Sequence, residues 1–407
     1  PAGLGLAFEK AVHRNPHGCA LMFEDQQYSY LQLNAWANQI AHYYLSIGAR
    51  KGDVIAVMLE NRPELIASVI GLAKIGVIAA LVNTAQVAKV LAHSINLVKP
   101  IAVIVGEECR QAVADIRQEL ELAENRLYWF ADQNTRTDTG TAPEGFQNLA
   151  QCIASFPSFN PATTQSVQGK DGLFYIYTSG TTGLPKAVIF TNSRWTLAYG
   201  TYGHVLGLNQ DDVMYCTLPL YHATGIVVCW CGVIAGSATF AIRRKYSTSC
   251  FWQDVHKFNA SAIGYVGELC RYLMDAPASD LEQGHRVTKM IGNGMRPNIW
   301  SKFKTRFGIQ EILELYASSE GNVGFSNVFN FDNTVGFSPT PYAIIQFDKE
   351  KNEPVRDAKG NCIKVKKGEV GLLIGKITRR SPFDGYTDSE KNKAVMMQNV
   401  FKQGDAY

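Results

Sequence analysis

Three short patterns that define common nucleotide-binding or hydrolytic folds are missing from this sequence. No Gly-x-Gly-x-x-Gly follows a strand-like segment, which disfavours a dinucleotide-binding fold. The phosphate-loop pattern Gly-x4-Gly-Lys-Ser/Thr is absent too, because Pro185 takes the place of its second glycine and Ala187 follows Lys186. No Gly-x-Ser-x-Gly elbow occurs, so a serine hydrolase of the α/β type is disfavoured.

Cysteine pairs, a strong charge and a leader-like segment are also lacking. The nine cysteines are scattered without any Cys-x-x-Cys, which is typical of reduced thiols and not of a disulfide framework or a zinc site. A net charge of +3 gives no case for nucleic acid as a partner. The first residue is Pro and not Met, and no charged-then-apolar signal segment follows it. We therefore expect the natural N-terminus to be missing. The expected location is cytoplasmic, with peripheral attachment to the inner face of a membrane left open.

Two apolar runs are long enough to span a membrane, residues 65–82 and 225–242. The first contains Lys74 and Gly76, and the second contains Gly232 and Gly236. Each run is better interpreted as a buried helix leading into a buried strand of a parallel sheet. The sequence therefore predicts no transmembrane segment in either place.

Strand-like and helix-like segments alternate over most of the chain. This βαβ pattern runs from residue 54 to 122 and again from 213 to 315, and it predicts parallel sheets with helices on both faces. From about residue 336, short strand-like segments separated by glycines replace the helices, which suggests a small barrel-like subdomain. We therefore predict an α/β protein with two doubly wound lobes, residues 1–170 and 171–335, and a β-rich subdomain, 336–407. Residues 132–146 have few apolar side chains and are predicted to form an exposed excursion.

The most informative string is Tyr177-Thr-Ser-Gly-Thr-Thr-Gly-Leu-Pro-Lys186, which lies between two strand-like segments. Glycines allow close approach of a ligand, hydroxyl and N–H groups donate hydrogen bonds, and a lysine adds a positive charge. A polar hairpin turn has a similar composition, but this string is rare enough to favour a site for a polyphosphate. The candidate phosphate ligands are Thr178, Ser179, Gly180, Thr181, Thr182, Gly183 and Lys186.

Three further strings follow predicted strands, at the ends where open α/β sheets bind ligands. They are Leu218-Pro-Leu-Tyr-His222, Gly292-Asn293-Gly294 and Glu314-Leu-Tyr-Ala-Ser-Ser-Glu320. Each has a purely structural alternative: a core histidine, a plain turn and a carboxylate at a helix start, respectively. Their order and spacing after the phosphate loop favour a common site.

Together these strings resemble one family. The phosphate loop, Leu218–His222, Tyr265-Val-Gly-Glu-Leu-Cys-Arg-Tyr-Leu273, Gly292–Gly294 and Phe383-Asp-Gly-Tyr386 are similar to those of the fatty acid transport proteins. These are also called very-long-chain acyl-CoA synthetases, and they form a branch of the adenylate-forming superfamily. The carnitine-CoA ligases are near neighbours. The resemblance covers essentially the whole chain.

The resemblance implies a two-step reaction of a carboxylic acid with ATP and then with coenzyme A. Catalytic roles would fall to Lys186, Thr181, His222 and Glu320, with Glu320 also binding Mg²⁺. The nucleotide would contact Thr178, Ser179, Gly180, Thr182, Gly183, Gly292, Asn293, Gly294, Tyr316 and Ser319. Tyr316 would lie against adenine, and Ser319 stands where the family usually has a threonine. Ala317 stands where the family usually has glycine, a departure that would narrow the pocket or restrict the backbone.

The resemblance also implies a further domain. The family continues beyond the position of Tyr407 with a ribose-binding Thr-Gly-Asp, a hinge and a small mobile domain that bears a catalytic lysine. We expect that domain to be absent here, and thioester formation by these residues alone to be poor. Two alternatives to a long- or very-long-chain fatty acyl-CoA synthetase stay open. One is a CoA ligase for carnitine, a bile acid or an aryl acid. The other is a fatty-acid carrier that uses this fold without turnover.

Overall fold

The computed structural model describes residues 2–132, 140–179, 183–379 and 381–407. Within these ranges the α-helices are α1 (Leu4–Arg14), α2 (Tyr30–Ser46), α3 (Pro63–Lys74), α4 (Ala88–Leu97), α5 (Arg110–Asp115), α6 (Leu149–Ile153), α7 (Asn192–Leu206), α8 (Trp230–Gly236), α9 (Phe251–Lys257), α10 (Gly267–Asp275), α11 (Pro297–Phe307) and α12 (Ser389–Val395). A π-helical turn, Thr224–Cys229, leads directly into α8.

The strands of the same ranges are β1 (Cys19–Phe23), β2 (Gln26–Ser29), β3 (Val54–Met58), β4 (Ile78–Leu81), β5 (Ala102–Gly106), β6 (Leu127–Phe130), β7 (Gln147–Asn148), β8 (Gly172–Thr178), β9 (Lys186–Thr191), β10 (Val213–Cys216), β11 (Thr239–Ile242), β12 (Ala262–Val266), β13 (Lys289–Asn293), β14 (Glu311–Ala317), β15 (Gly324–Ser326), β16 (Tyr342–Ile345), β17 (Phe347–Asp348), β18 (Glu353–Pro354) and β19 (Leu372–Gly375). The predicted α/β fold is confirmed.

Local sequence signals explain where several helices begin and end. Ser29 and Gln32 form a reciprocal capping box at the start of α2, in which each side chain accepts from the other residue's backbone N–H. Helices α7 and α11 end at Gly207 and Gly308, which adopt left-handed backbone angles that other residues rarely take.

Two sheets form the body of the molecule. The seven-stranded sheet has the order β7-β6-β5-β3-β4-β8-β9, and the eight-stranded sheet has the order β15-β14-β13-β12-β10-β11-β1-β2. Pairing is parallel except at three places, β8–β9, β14–β15 and β1–β2. Strands β3, β4 and β5 are buried along their whole length, as expected for parallel strands covered on both faces.

The predicted division of the chain into lobes stays a prediction, although strand pairing crosses its boundary at residue 170. Strands β8 and β9 follow residue 170 but complete the seven-stranded sheet, where β8 pairs with β4. Conversely, the hairpin β1–β2 near the N-terminus belongs to the eight-stranded sheet, where β1 pairs with β11. The boundary at residue 170 therefore does not separate the sheets, because strand pairing depends on contacts between residues far apart in sequence.

Both long apolar runs have the predicted form. The first contains the buried helix α3 and then β4, and the second contains the buried π-helical turn, α8 and β11. Nowhere in the described ranges does a helix combine the length and the apolar character that crossing a bilayer requires.

Some predicted elements differ from those observed. The predicted βαβ pattern ends at residue 122, but its last helical segment is not continuous, because α5 lies between short 3₁₀ turns, Glu107–Cys109 and Arg117–Glu119. Strand β6, which begins just before the predicted excursion, was not predicted, although it is buried throughout. Much of that excursion, residues 133–139, lies outside the described residues.

In the segment after Gly336, the described residues form two antiparallel two-stranded sheets, β16–β19 and β17–β18. A barrel-like arrangement of this segment stays a prediction. The segment is joined to the seven-stranded sheet, because Ile189 N–H donates to the carbonyl of Gly385 at 2.9 Å and Thr387 N–H donates to Ala187 at 3.0 Å. Residues 385–387 thus run beside β9.

A buried lysine joins three helices under the seven-stranded sheet. Lys74 at the end of α3 has no exposed side-chain surface and forms an ion pair with Glu9 of α1 at 3.2 Å. Its ammonium group donates to the side-chain oxygens of Asn34 and Asn38 on α2, at 2.6 and 2.7 Å, and to Asn160 at 2.9 Å. Lys74, whose charge argued against a membrane-spanning segment, is therefore part of a buried cluster of polar side chains.

Candidate active site

The phosphate loop connects the antiparallel strands β8 and β9, and Thr178 pairs with Lys186 at its base. Ser179 and Gly183 are exposed, and Gly183 has a φ of 85°, which favours glycine at this turn. Gly180, Thr181 and Thr182 lie outside the described residues, so their predicted roles stay predictions.

Helix α4 supports both arms of this loop. The hydroxyl of Tyr177, in β8, donates to the carbonyl of Ser94 at 2.7 Å. The Nε2 atom of His93 lies 3.0 Å from the carbonyl oxygen of Pro185, the residue before Lys186. These contacts fix the loop on a rigid helix. They were not predicted, because one partner in each contact is a backbone carbonyl, which leaves no side-chain pattern.

Tyr386 packs beside the lysine of the loop. The Lys186 ammonium nitrogen lies 5.3 Å from the centroid of the Tyr386 ring, within the range of a cation–π contact. Asn392 holds the Tyr386 backbone, since its side chain accepts from the Tyr386 N–H at 2.7 Å and donates to its carbonyl at 2.9 Å. Burial, and to a smaller extent the charge of Glu320, raises the pKa of Tyr386. Lys186 thus contacts this ring, and the charge of Glu320 is felt at its hydroxyl.

The segment that carries Glu320 follows β14 and contacts Arg194 of α7. The Arg194 guanidinium donates to the carbonyls of Ser319 at 2.7 Å and Gly321 at 3.2 Å. Asp384 accepts a hydrogen bond from Thr191, the N-cap of α7, at 2.9 Å. The strand with Lys186 and the loop with Glu320 therefore meet at the start of α7.

The Gly292-Asn293-Gly294 string ends β13 and begins a turn that is held by a buried carboxylate. Glu314 of β14 accepts from the backbone N–H of Gly294, from the N–H of Met295 at 3.1 Å and from the Tyr265 hydroxyl. Burial raises the pKa of Glu314, and these three hydrogen bonds oppose that shift. The residue was singled out only as the start of a string, yet it connects three of the quoted strings.

The glycines of these strings allow close backbone packing. A Cβ atom on Gly292 would lie 2.0 Å from the carbonyl oxygen of Tyr265, and one on Gly267 would lie 1.9 Å from that of Gly294. Gly294 also has a φ of 88°. The turn therefore requires glycine for steric reasons, whatever ligand it binds.

His222 follows β10 with part of its side chain open to solvent, and burial of the remainder lowers its pKa, which favours the neutral imidazole at pH 7. Asn61, just before α3, fixes the same segment: its side chain donates to the Leu218 carbonyl at 2.8 Å and accepts from the Leu220 N–H at 2.9 Å. Thr224 donates to the side-chain oxygen of Asn293 at 3.2 Å, which connects this segment to the glycine turn.

Tyr316 and Ala317 lie at the exposed end of β14. The Tyr316 side chain is 49% exposed, so its ring is accessible to a planar ligand. Ala317 is exposed and pairs with Gly324 of β15. The predicted effect of its methyl group on a pocket stays a prediction.

Mg²⁺ is the metal that the resemblance implies. Mg²⁺ commonly binds through one or two carboxylates, together with water and the phosphates of a substrate. Glu320, between the residues whose carbonyls Arg194 binds, is a single carboxylate and fits that mode. In the ranges that the structure describes, no group of three or more His, Cys, Asp or Glu side chains could hold a metal by itself.

Two solved structures illustrate that this fold is known. The inhibitor-bound N-terminal domain of FACL13 from Mycobacterium tuberculosis aligns with a TM-score of 0.77 at 20% identity, over 100% of this chain and 96% of that one. The anthranilate CoA ligase AuaEII in complex with anthranoyl-AMP aligns with a TM-score of 0.81 at 18% identity, over 97% and 73% of the chains. At these identities the likeness concerns the fold.

The sequence itself identifies the family. Residues 8–372 match the family described as AMP-binding enzyme, and the chain belongs to that family. It is 39% identical over 407 residues to the medium/long-chain-fatty-acid–CoA ligase FadD6 of Mycobacterium tuberculosis (strain ATCC 25618 / H37Rv), covering 66% of that protein. It is 36% identical over 411 residues to long-chain fatty acid transport protein 1 of Rattus norvegicus, covering 63% of it. The chain thus spans slightly less than two thirds of these curated relatives.

The structure brings the predicted residues into two groups joined by β14. One group contains Lys186, Thr178 and the loop with Ser319 and Glu320. The other contains Gly292, Asn293 and Gly294. His222 belongs with this second group, because Thr224, two residues after it, donates a hydrogen bond to the Asn293 side chain. Because β10, β12, β13 and β14 are parallel neighbours, their following segments meet at one edge of the sheet.

Proposed function

We propose that this chain is the large domain of an ATP-dependent fatty acyl-CoA ligase. In the first step, a carboxylate oxygen of a long- or very-long-chain fatty acid attacks the α-phosphorus of ATP, and the bond to pyrophosphate breaks. In the second step, the thiolate of coenzyme A attacks the acyl carbon, and AMP leaves. Membership of the AMP-binding family carries the proposal, and the position of Lys186 at the base of the phosphate loop, beside the Tyr386 ring, supports it.

The residues suit the charges of the first step. Negative charge develops on the departing pyrophosphate, and Lys186 with the hydroxyls and N–H groups of the phosphate loop would stabilise it. Neutral His222 would sit near the reacting carboxylate without adding a second charge. Tyr316 offers an exposed ring to adenine, and Gly292–Gly294 would border the base and the acyl chain.

Bound Mg²⁺ would neutralise charge on the nucleotide phosphates. In this chain Glu320 would hold it, and the contacts of Ser319 and Gly321 would orient that carboxylate. We further propose peripheral association with the inner face of a membrane, since the acid is a lipid. The names of the relatives support coenzyme A as the second substrate.

Exchange of pyrophosphate into ATP tests the proposal. The full natural protein should catalyse exchange that depends on a fatty acid and rises with its chain length beyond the medium range. A screen of acids that includes carnitine, a bile acid and an aryl acid separates the ligase alternatives. Saturable fatty-acid binding without any exchange would instead favour a carrier, the function suggested by relatives named fatty acid transport proteins.

Tyr386 provides a prediction about the ring beside Lys186. Substitution by leucine should lower the exchange rate about 2–5-fold, because a cation–π contact contributes roughly 0.5–1 kcal/mol. Tyr386→Phe keeps the ring and should stay within about twofold of the unsubstituted protein. Equal rates for the Leu and Phe variants would show that the ring has no effect on Lys186, provided that both unfold at similar temperatures.

A further inference from the structure

Arg194 is a charged side chain that the proposed roles leave unused. It lies in the first turn of α7, which follows the strand that begins with Lys186. Its guanidinium donates to three backbone carbonyls, those of Ser319, Gly321 and Ile189, at 2.7, 3.2 and 3.4 Å. It also lies over the Phe190 ring, 4.6 Å from the centroid. One group thus holds both β9 and the loop that carries Glu320.

The electrostatics of this contact leave Glu320 available to a ligand. Burial lowers the pKa of Arg194, and the carboxylates of Asp384 and Glu320 oppose that shift, so both lie in its field. Among the described residues, however, no ion pair within 4.0 Å joins Arg194 to Glu320, and the hydrogen bonds of Arg194 go to neutral carbonyls. Arg194 therefore orients the backbone on both sides of Glu320 without occupying its carboxylate.

Among the described residues, other hydrogen bonds hold this loop mainly after Glu320. Between the end of β14 at Ala317 and the start of β15 at Gly324, the Gly321 N–H donates to the Ser318 hydroxyl at 3.1 Å. The Asn322 side chain donates to the carbonyls of Lys376 and Ser381 at 3.1 and 3.2 Å, and its backbone carbonyl accepts from the Ser381 hydroxyl at 2.8 Å. At Ser319, before Glu320, the carbonyl accepts from Arg194.

We propose that Arg194 is a positioning residue that holds the Glu320 carboxylate at a fixed distance from Lys186 and thereby sets the affinity for the Mg²⁺ of the bound nucleotide. This inference rests on the proposed function. Arg194 would act through Glu320, because it contacts the loop that carries Glu320 and not a reacting group. Lysine cannot replace it fully, because one ammonium group cannot span two carbonyls as the planar guanidinium does.

Two measurements on the full natural protein test the proposal, with Arg194→Gln, Arg194→Lys and a matched control. Arg306 is that control, because it also donates to two carbonyls separated by one residue, Met274 and Ala276, each at 2.8 Å. Hydrogen–deuterium exchange of peptides covering residues 318–323 is measured without nucleotide or metal. Calorimetry then gives the affinity for ATP with and without Mg²⁺.

Arg194→Gln should speed amide exchange in residues 318–323 about tenfold, because it removes two hydrogen bonds of a charged group. The Mg²⁺ concentration that gives half-maximal ATP binding should rise about tenfold, while ATP affinity without metal stays within about twofold. Arg194→Lys should give intermediate values. Arg306→Gln should lower the unfolding temperature but leave the 318–323 exchange and the Mg²⁺ dependence unchanged.

Two results would overturn the inference. The first is wild-type loop exchange and Mg²⁺ dependence in Arg194→Gln. The second is equal loosening of residues 318–323 in the Arg194 and Arg306 variants, which would indicate a general loss of stability. Failure of the proposed function has a different signature, namely no acid-dependent pyrophosphate exchange in the unsubstituted protein. The loop exchange and the MgATP binding still decide the role of Arg194 in that case.

Discussion

Replacing Lys186 with alanine is expected to slow formation of the acyl-adenylate by about 10²–10³-fold, the range for loss of one donor to a transition state. The ammonium group lies at the base of a loop fixed by α4 and beside the Tyr386 ring, and in the proposed reaction it would stabilise the charge that develops on pyrophosphate. Acid-dependent ATP–pyrophosphate exchange measures the effect.

Lys170 is a suitable control for that substitution. It is exposed in the turn before β8, so Lys170→Ala should leave the exchange rate within about twofold, as expected for a surface substitution. Unfolding temperatures of both variants should stay close to that of the unsubstituted protein. An unchanged exchange rate in Lys186→Ala would remove this lysine from the mechanism.

Replacing Lys74 with methionine should lower the free energy of unfolding by about 3–5 kcal/mol. The substitution keeps the length of the side chain but leaves the Glu9 carboxylate without its ion pair and the Asn34 and Asn38 oxygens without a donor. Urea unfolding at pH 7 measures the loss. Lys51→Met is the control, because its ion pair with Asp171 is at the surface and 43% of the lysine side chain is exposed, so about 0–1 kcal/mol is expected.

The difference in unfolding free energy between the unsubstituted protein and Lys74→Met should depend on pH. Burial, opposed by Glu9, lowers the pKa of Lys74 from 10.5 to about 8. Between these values the unfolded chain binds more protons at this position than the folded one, so the folded state gains stability as pH rises. The gap in unfolding free energy between the unsubstituted protein and Lys74→Met should therefore widen by about 2 kcal/mol from pH 8 to pH 10. A gap that narrows or stays constant over this interval would contradict the lowered pKa.

The sequence was sufficient to predict most elements of the fold. Buried strands such as β3 and β5 are continuous apolar segments, and helices such as α11 carry a proline at the start and a glycine at the end. These signals are local. The order of strands in a sheet is not, because β8 pairs with β4 across a long separation and nothing in either segment specifies the other.

The same contrast between local and long-range signals applies to the candidate site. Strings such as Gly292–Gly294 could be found because their backbone geometry needs particular residue types close together in sequence. Arg194 could not, because its partners at Ser319 and Gly321 are backbone carbonyls 125 and 127 positions away. Glu314 shows an intermediate case, since it lies in a conspicuous string but its function in the turn depends on donors from β12 and from the residue after β13.

The exchange of strands between the sheets also constrains the order of events during synthesis. The hairpin β1–β2 emerges early, yet its neighbour β11 lies far along the chain, as the hydrogen bond from Thr239 to Cys19, 220 positions apart, illustrates. Until β11 emerges from the ribosome, β1 exposes an unpaired edge, and unpaired edges promote association with other chains. The hairpin β1–β2 therefore cannot reach its final pairing until residues 239–242 have emerged, well after its own synthesis.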